Sequence, residues 1–176
     1  MLKLEKVNKT IQMFRDYVIR EAKDNLKRTG HNNTSSLANS LKGEIVTDDN
    51  YAIVGFTMND YGTFVDLGVK GKTSSAKAPN SPYKFGSGTG RKGGLTQGIN
   101  KWVKQKGFQF RDKRGRFLSY ESTAYLITRS IFHKGIKPSL FFTKPFEAGY
   151  KKYIDTDLIK AFGQDVETMV DYNLKD

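Results

Sequence analysis

The stretch Gly71–Thr73 reads Gly-Lys-Thr, which closes the phosphate-binding loop of many nucleotide hydrolases. That loop needs a glycine five residues before its Gly-Lys pair, so that successive backbone N–H groups surround a phosphate. Asp66 holds this position, and its carboxylate would repel a phosphate. A helix must also begin at the lysine, but Pro79 and Pro82 follow closely and argue against one. We therefore interpret Gly-Lys-Thr as part of a glycine-rich loop.

A second glycine pattern, G-x-G-x-x-G, is formed by Gly88, Gly90 and Gly93. In dinucleotide-binding proteins this pattern follows a hydrophobic strand and opens a helix. Here it follows Ser-Pro-Tyr-Lys-Phe-Gly-Ser, which is not a hydrophobic strand. Nucleotide binding is therefore not predicted at this cluster either.

Candidate catalytic groups are few and scattered. His31 and His133 are the two histidines, and there is no cysteine. The carboxylates of Asp48–Asp49 fit a turn, and Asp155 with Asp157 fits the end of a C-terminal helix without requiring a metal. No serine sits in a nucleophile elbow. The sequence predicts a protein that is not an enzyme and that holds neither a cofactor nor a metal ion.

The positive charge is concentrated in the middle of the chain. The formal net charge is +12. Residues 68–116 carry 13 Lys and Arg residues and one acidic residue, Asp112, whereas the segments on either side are balanced. This pattern indicates a surface directed at a polyanion, first nucleic acid and second an acidic protein, with a merely solvated loop as the alternative. The candidate residues are Lys70, Lys72, Lys77, Lys84, Arg91, Lys92, Lys113, Arg114 and Arg116.

The first third of the chain predicts a long helix and then a hairpin. Apolar residues recur every three or four positions over about Lys3–Lys27, which is typical of an amphipathic helix. Ser35 or Ser36 is placed to cap a short helical turn. Two β-rich runs, 44–47 and 51–57, surround an Asp-Asp-Asn turn and predict a hairpin.

The rest of the chain predicts helices around a long loop and a second hairpin. Residues 60–67 suit a short helix packed by its aromatic face, and residues 68–94 form a loop with no regular structure. A helix is predicted over 95–106 and a basic hairpin over 108–118. Ser122 is placed to cap a further helix that runs to about His133, with Leu126 among its inward residues. Pro145 opens the C-terminal helices.

These elements define an α+β fold in which C-terminal helices pack on an antiparallel sheet of hairpins. At 176 residues we expect a single domain over 1–176, with a flexible basic insertion at about 68–119. No apolar run is long enough to span a bilayer, so we expect a soluble protein made in the cytoplasm, without a membrane partner.

Four segments, in this order, resemble a known family: Leu37–Lys42, Tyr51–Val54, Tyr61–Gly68 and Ile131–Phe146. The chain resembles the tail-completion (neck, or head–tail joining) proteins of tailed bacteriophages. That family typically shows a Tyr-Ala-x-Phe/Tyr-Val-Glu-x-Gly element and a later Gly-x-x-Pro-x-x-Phe-x-x-Pro-Ala element. Here Gly62 replaces the alanine and Asp66 the glutamate, and Glu147-Ala148 follows Phe146. The region between Gly68 and Ser119 departs from the family by being longer and more basic.

The resemblance implies a structural virion protein. Family members form rings, often hexameric and in this case a hexamer or a dodecamer, between the portal or connector and the tail. Such a ring surrounds the DNA channel, and its basic loops would contact packaged DNA or a neighbouring protein. The place of Asp66 in its motif implies a polar contact across a subunit boundary. The alternative that the residues leave open is a soluble nucleic-acid-binding accessory protein that uses residues 68–116.

Overall fold

The computed structural model of the chain describes residues 4–29, 35–48, 51–87 and 94–173, and it has the predicted α+β class. Its backbone contacts group into two compact units. The first unit combines Met1–Gly62 with Leu140–Asp176, and the second is Thr63–Ser139. The single domain expected over 1–176 stays a prediction, because two compact units are compatible with one domain or with two.

The first unit is organised by helix α1, Glu5–Arg28, which confirms the predicted long helix. Its buried side is the predicted apolar stripe, which contains Ile11, Phe14, Val18, Ala22 and Leu26. The N-terminus of α1 is capped by a residue that is distant in the sequence. The Asp165 carboxylate accepts hydrogen bonds from the backbone amides of Lys6 and Val7, each at 3.0 Å, and so satisfies two amides that a helix start leaves unpaired.

The C-terminal part of the first unit is a continuous helical run. Helix α6 spans Thr143–Gly149, a π-helical segment spans Tyr150–Leu158, and helix α7 spans Ile159–Asn173. These helices pack mainly against α1. Phe14 of α1 lies at the centre, in edge-to-face contact with the rings of Phe146 and Phe56 at centroid distances of 5.7 and 6.0 Å.

The predicted first hairpin is confirmed as strands β1, Lys42–Thr47, and β2, Ala52–Thr57. They pair antiparallel from Lys42 opposite Thr57 to Thr47 opposite Ala52. Asp49 and Asn50 of the predicted turn lie outside the described residues. Val54 and Phe56 pack on the core of the first unit. Through these side chains the sheet contacts the C-terminal helices. A short helix α2, Ser36–Ser40, precedes the hairpin, and the Ser35 hydroxyl at its start makes no capping hydrogen bond, so the predicted side-chain cap at Ser35 is wrong.

The second unit contains helices of different lengths and two very short strands. Helix α3 spans Gly62–Leu67, strand β3 Val69–Lys70, helix α4 Gly94–Lys106, helix α5 Tyr120–Lys134 and strand β4 Gly135–Ile136. Strands β3 and β4 form a second two-stranded sheet of their own, which the sequence did not predict. Helices α4 and α5 pack together, and Val103, Thr123 and Ala124 are buried.

Two predicted details of α5 are wrong. Ser119, not Ser122, caps the helix: its hydroxyl accepts a hydrogen bond from the Ser122 amide at 3.1 Å, because Ser119 has the extended backbone of a capping residue. Leu126, predicted inward, is exposed, and Thr123 is buried instead. The end of the helix agrees with prediction, since Gly135 adopts the positive φ of +83° that favours glycine.

The aromatic face of α3 agrees with the prediction only in part, since the Phe64 ring contacts that of Tyr83 at a centroid distance of 4.5 Å. Tyr61 and Phe64 are exposed, whereas Asp66 is buried. None of the described helices is long and apolar enough to cross a bilayer.

Candidate functional site

The excess positive charge of the sequence lies entirely in the second unit. The second unit carries 16 Lys and Arg residues against three Asp and Glu residues, a net charge of +13. The first unit carries 14 against 15, a net charge of −1. The positive field of the protein therefore originates in the second unit, and this unit is where a polyanion would be attracted.

Over residues 68–87 the loop after α3 has regular structure only at β3 and at the Lys84 bridge, close to the prediction, but hydrogen bonds join its segments. The Lys70 amide donates to the Tyr83 carbonyl at 2.8 Å, and the Phe85 amide donates to the Lys70 carbonyl at 2.9 Å. The Ser81 hydroxyl donates to the Gly68 carbonyl at 2.7 Å. These partners lie up to 15 positions apart, which is why local periodicity did not reveal them.

The backbone of Gly71–Thr73 is occupied by hydrogen bonds within the chain. The Gly71 amide donates to Ser74, the Lys72 amide to Phe132, and the Thr73 amide to His133. These are the N–H groups that a phosphate-binding loop would offer to its ligand. The Thr73 hydroxyl also donates to the His133 carbonyl, at 3.1 Å. The site is a structural junction with the end of α5, in agreement with the interpretation from the spacing.

The predicted basic residues of the loop divide by exposure. Lys70 is half-buried in β3, whereas Lys72, Lys77 and Lys84 are exposed. The pairing of Lys70 with Lys84 across an isolated β-bridge brings their backbones together. Arg91 and Lys92 lie outside the described residues, as does the G-x-G-x-x-G pattern.

The predicted second hairpin is present as a turn whose two arms pair through a single isolated β-bridge; we call it the basic hairpin (residues 108–118). Its ends are joined by the Leu118 amide donating to the Phe110 carbonyl at 2.8 Å and by one bridge between Arg111 and Phe117. It does not belong to either sheet, so the expected sheet of hairpins contains only the first hairpin. The Phe110 amide donates to the Thr123 hydroxyl at 3.2 Å, which anchors the basic hairpin to α5.

Asp112 organises the tip of the basic hairpin. One of its carboxylate oxygens, Oδ1, accepts from the backbone amides of Arg114 at 2.8 Å and Arg116 at 2.9 Å. The other, Oδ2, accepts from the Arg116 side chain at 3.0 Å. The Arg116 backbone amide, above all, holds the pKa of Asp112 below its ordinary value. Gly115 follows with a φ of +81°, which suits a tight hairpin turn.

The predicted cations Lys113, Arg114 and Arg116 are all exposed at this tip. A fourth, Arg111, was not among the predicted residues. Its guanidinium lies 4.0 Å from the ring centre of Phe117 and donates to the Gly115 carbonyl at 2.9 Å. The pair is formed across the turn, at a separation of six residues, which the hairpin prediction could have revealed.

Aromatic side chains surround these cations. Trp102, Phe108 and Phe110 form what we call the aromatic row, with centroid distances of 6.2 Å for the first pair and 5.3 Å for the second. Together with Phe117 they are 37% to 61% exposed. The sequence did not predict an exposed aromatic cluster. The basic hairpin belongs to neither sheet, and the buried residue of α4 is Val103.

Asp66 does not present a surface in the single chain. Its side chain is only 4% exposed, and it has an interaction partner within the chain. The contact with a neighbouring subunit that its motif implies would require this carboxylate to leave its present surroundings.

The first unit carries a different kind of exposed surface. Ile159, Phe162, Val166 and Val170 follow one another on α7 at spacings of three and four and are exposed; we call them the α7 stripe. Ile159 is 70% exposed. On the same helix Ala161 and Asp165 are the buried residues, because Asp165 is directed to the start of α1.

Candidate catalytic residues are few and scattered in the described part of the chain. His133 stands in the last turn of α5 with its ring against Phe132, and His31 lies outside the described residues. Among residues 4–29, 35–48, 51–87 and 94–173, no group of three or more His, Asp and Glu residues could hold a metal ion. The expectation that the protein is not an enzyme stays a prediction.

No known family model matches the chain, and no characterised protein or solved structure shows significant similarity to it.

Proposed function

We propose that the chain is a structural protein of the neck of a tailed bacteriophage. In this proposal it forms a ring of about six or twelve copies between the portal and the tail, where it completes head–tail joining and surrounds the DNA channel. It acts as a virion component without catalysis. The order of its four family-like segments supports the proposal, and the observation that carries it is the exposed α7 stripe.

The α7 stripe supports self-association because it is a continuous apolar surface. Four apolar side chains on one helical face remain in water in the single chain. Contiguous exposed apolar surface of this kind marks a protein interaction site. Burying it against a second copy would remove the unfavourable contact with water.

The charge of the first unit is compatible with such an assembly. A net charge of −1 means that bringing several first units together produces little mutual repulsion. The second unit, at +13, would repel its copies unless a polyanion neutralised them. Packaged DNA in the channel supplies such a polyanion, bound through its phosphates without sequence preference.

The test is the copy number of the protein in purified particles, measured by quantitative mass spectrometry with isotope-labelled peptides. We expect about six or twelve copies per particle. Absence from clean particles, combined with abundance in infected cells, would contradict the proposal.

A second candidate function is supported by the basic hairpin and the aromatic row. A soluble accessory protein that binds nucleic acid would use exposed rings beside cations in this way. It would bind nucleic acid as an isolated chain, with an affinity that falls steeply as salt is raised, and it would be missing from purified particles.

A further inference from the structure

The basic hairpin is held in one shape before any ligand arrives. Asp112 fixes the turn through two backbone amides, and Gly115 supplies the positive φ. At the base, the Gln109 side-chain amide donates to the Leu118 carbonyl at 2.7 Å. A binding surface that is already ordered loses less conformational entropy when it binds.

The charges at its tip are not cancelled. Asp112 is the one carboxylate of the basic hairpin, and its ion pair is with Arg116, at 3.0 Å. Arg111, Lys113 and Arg114 remain as a net positive group of exposed cations. Arg111 is oriented by the Phe117 ring on one side and by the Gly115 carbonyl on the other.

Exposed aromatic rings adjoin these cations on both sides of the hairpin. Phe108 and Phe110 precede Arg111, and Phe117 follows Arg116. Trp102 extends the row from helix α4, because its ring contacts Phe108. The cations of the basic hairpin are therefore flanked in sequence by exposed aromatic residues.

We propose that the basic hairpin and the aromatic row bind single-stranded nucleic acid, with phosphates on the exposed cations and unpaired bases stacked on the rings. Single strands offer both groups together: an anionic backbone and base faces that no partner strand covers. In a duplex the base faces are stacked on one another, so the rings would contribute little. This inference names a ligand for the basic second unit and does not depend on ring formation.

The experiment uses the chain's only tryptophan, Trp102, which lies in the aromatic row. The full-length protein is titrated with oligothymidylate of about 15 nucleotides while Trp102 emission is recorded, a length that fits one small binding surface. A duplex of equal length and inorganic polyphosphate are the comparison ligands. We expect the oligothymidylate to quench Trp102 and to bind about tenfold or more tightly than either comparison ligand at equal phosphate concentration, because stacking adds to charge.

Substitutions separate stacking from charge. Phe108→Leu removes a 42% exposed ring of the aromatic row, and we expect oligothymidylate binding to weaken by about tenfold, with polyphosphate binding unchanged. Phe110→Leu is a second ring variant with the same expectation. The charge control is Lys77→Ala, which removes an exposed lysine outside the basic hairpin. This variant should lower the affinity for all three ligands slightly and equally.

Two outcomes would overturn the proposal. Equal binding of oligothymidylate and polyphosphate without a change in Trp102 emission would show that charge alone acts. Absence of binding to any of the three ligands in low salt would instead assign the surface to a protein partner. Neither outcome bears on the copy number in particles, so this inference and the neck proposal fail separately.

Discussion

The first unit buries large side chains, whereas the second buries small ones. Phe14, Leu26 and Phe141 lie in the interior of the first unit, but the second contains Val103, Thr123 and Ala124 at comparable depth. The second unit relies instead on backbone hydrogen bonds between loop segments and the end of α5. The first unit is thus held by apolar burial and the second by close backbone junctions.

The surfaces of the two units differ in net charge and in the kind of side chain that they expose. The first is nearly neutral and exposes the apolar α7 stripe, whereas the second has a net charge of +13 and exposes cations beside aromatic rings. Apolar surface suits association with protein, and dense positive charge suits a polyanion. We therefore expect assembly through the first unit and polyanion binding through the second.

The largest expected effect is in the core of the first unit. Phe14→Ala removes a buried ring that contacts three others and should lower the free energy of unfolding by about 3–5 kcal/mol. Phe162→Ala, on the exposed α7 stripe, is the matched control and should change it by less than about 1 kcal/mol. Denaturant unfolding measures both. Equal losses would show that α7 is packed and that the stripe is not a free surface.

The second unit should be most sensitive at a backbone junction. A Cβ at position 71 would collide with the His133 carbonyl oxygen, so Gly71→Ala should destabilise this junction by about 1–3 kcal/mol. Hydrogen exchange would report it as lost protection of the Lys72 and Thr73 amides. Gly98→Ala, within α4 and with nothing near its Cβ, should instead stabilise by up to about 1 kcal/mol. Unchanged hydrogen-exchange protection of these two amides in the Gly71 variant would contradict the proposed role of the junction.

The cap between α7 and α1 gives an intermediate effect. Asp165→Ala leaves the Lys6 and Val7 amides without their acceptor and should cost about 1–2 kcal/mol in unfolding free energy. Asp155→Ala, an exposed carboxylate of the π-helical segment, is the control and should be neutral within about 0.5 kcal/mol. If both variants unfold alike, the long-range cap contributes nothing.

The smallest effect concerns pH at the tip of the basic hairpin. Backbone hydrogen bonds lower the pKa of Asp112, so its stabilising contribution is complete above about pH 4 and is lost as pH falls through the folded-state pKa. Amide chemical shifts of Arg114 and Arg116 should therefore move together below that pH. Asp112→Asn should abolish this transition. A transition centred above the ordinary aspartate pKa would contradict the hydrogen bonding.

The sequence predicted the elements whose signal is local. The stripe of α1 and the two strands of the first hairpin follow from patterns of neighbouring residues, and both were confirmed. The pairing of β3 with β4 was missed because it joins two-residue strands 65 positions apart. The prediction of Ser122 as the cap of α5 was wrong because any serine near a helix start can cap it, and only the backbone shows that Ser119 does.

The candidate site was predicted in charge but not in shape. The cations of residues 68–116 were found by counting, whereas the exposure of Trp102 and Phe110 was not, since an aromatic residue on a helix or strand normally signals a core. Their exposure follows from the absence of a layer over the basic hairpin in the described part of the second unit. Such an absence is a tertiary property that no local pattern encodes.

The assignment of assembly to the first unit and polyanion binding to the second is tested most directly by the copy number of two variants in purified particles. Particles would be produced with Phe162→Asp, in the α7 stripe, or with the pair Lys113→Ala and Arg114→Ala, in the basic hairpin, as the only source of the protein. We predict that the α7 variant is absent, because a charge in the stripe prevents burial, and that the hairpin variant is present at the wild-type copy number. Full incorporation of the α7 variant, or loss of the hairpin variant alone, would contradict this division of roles.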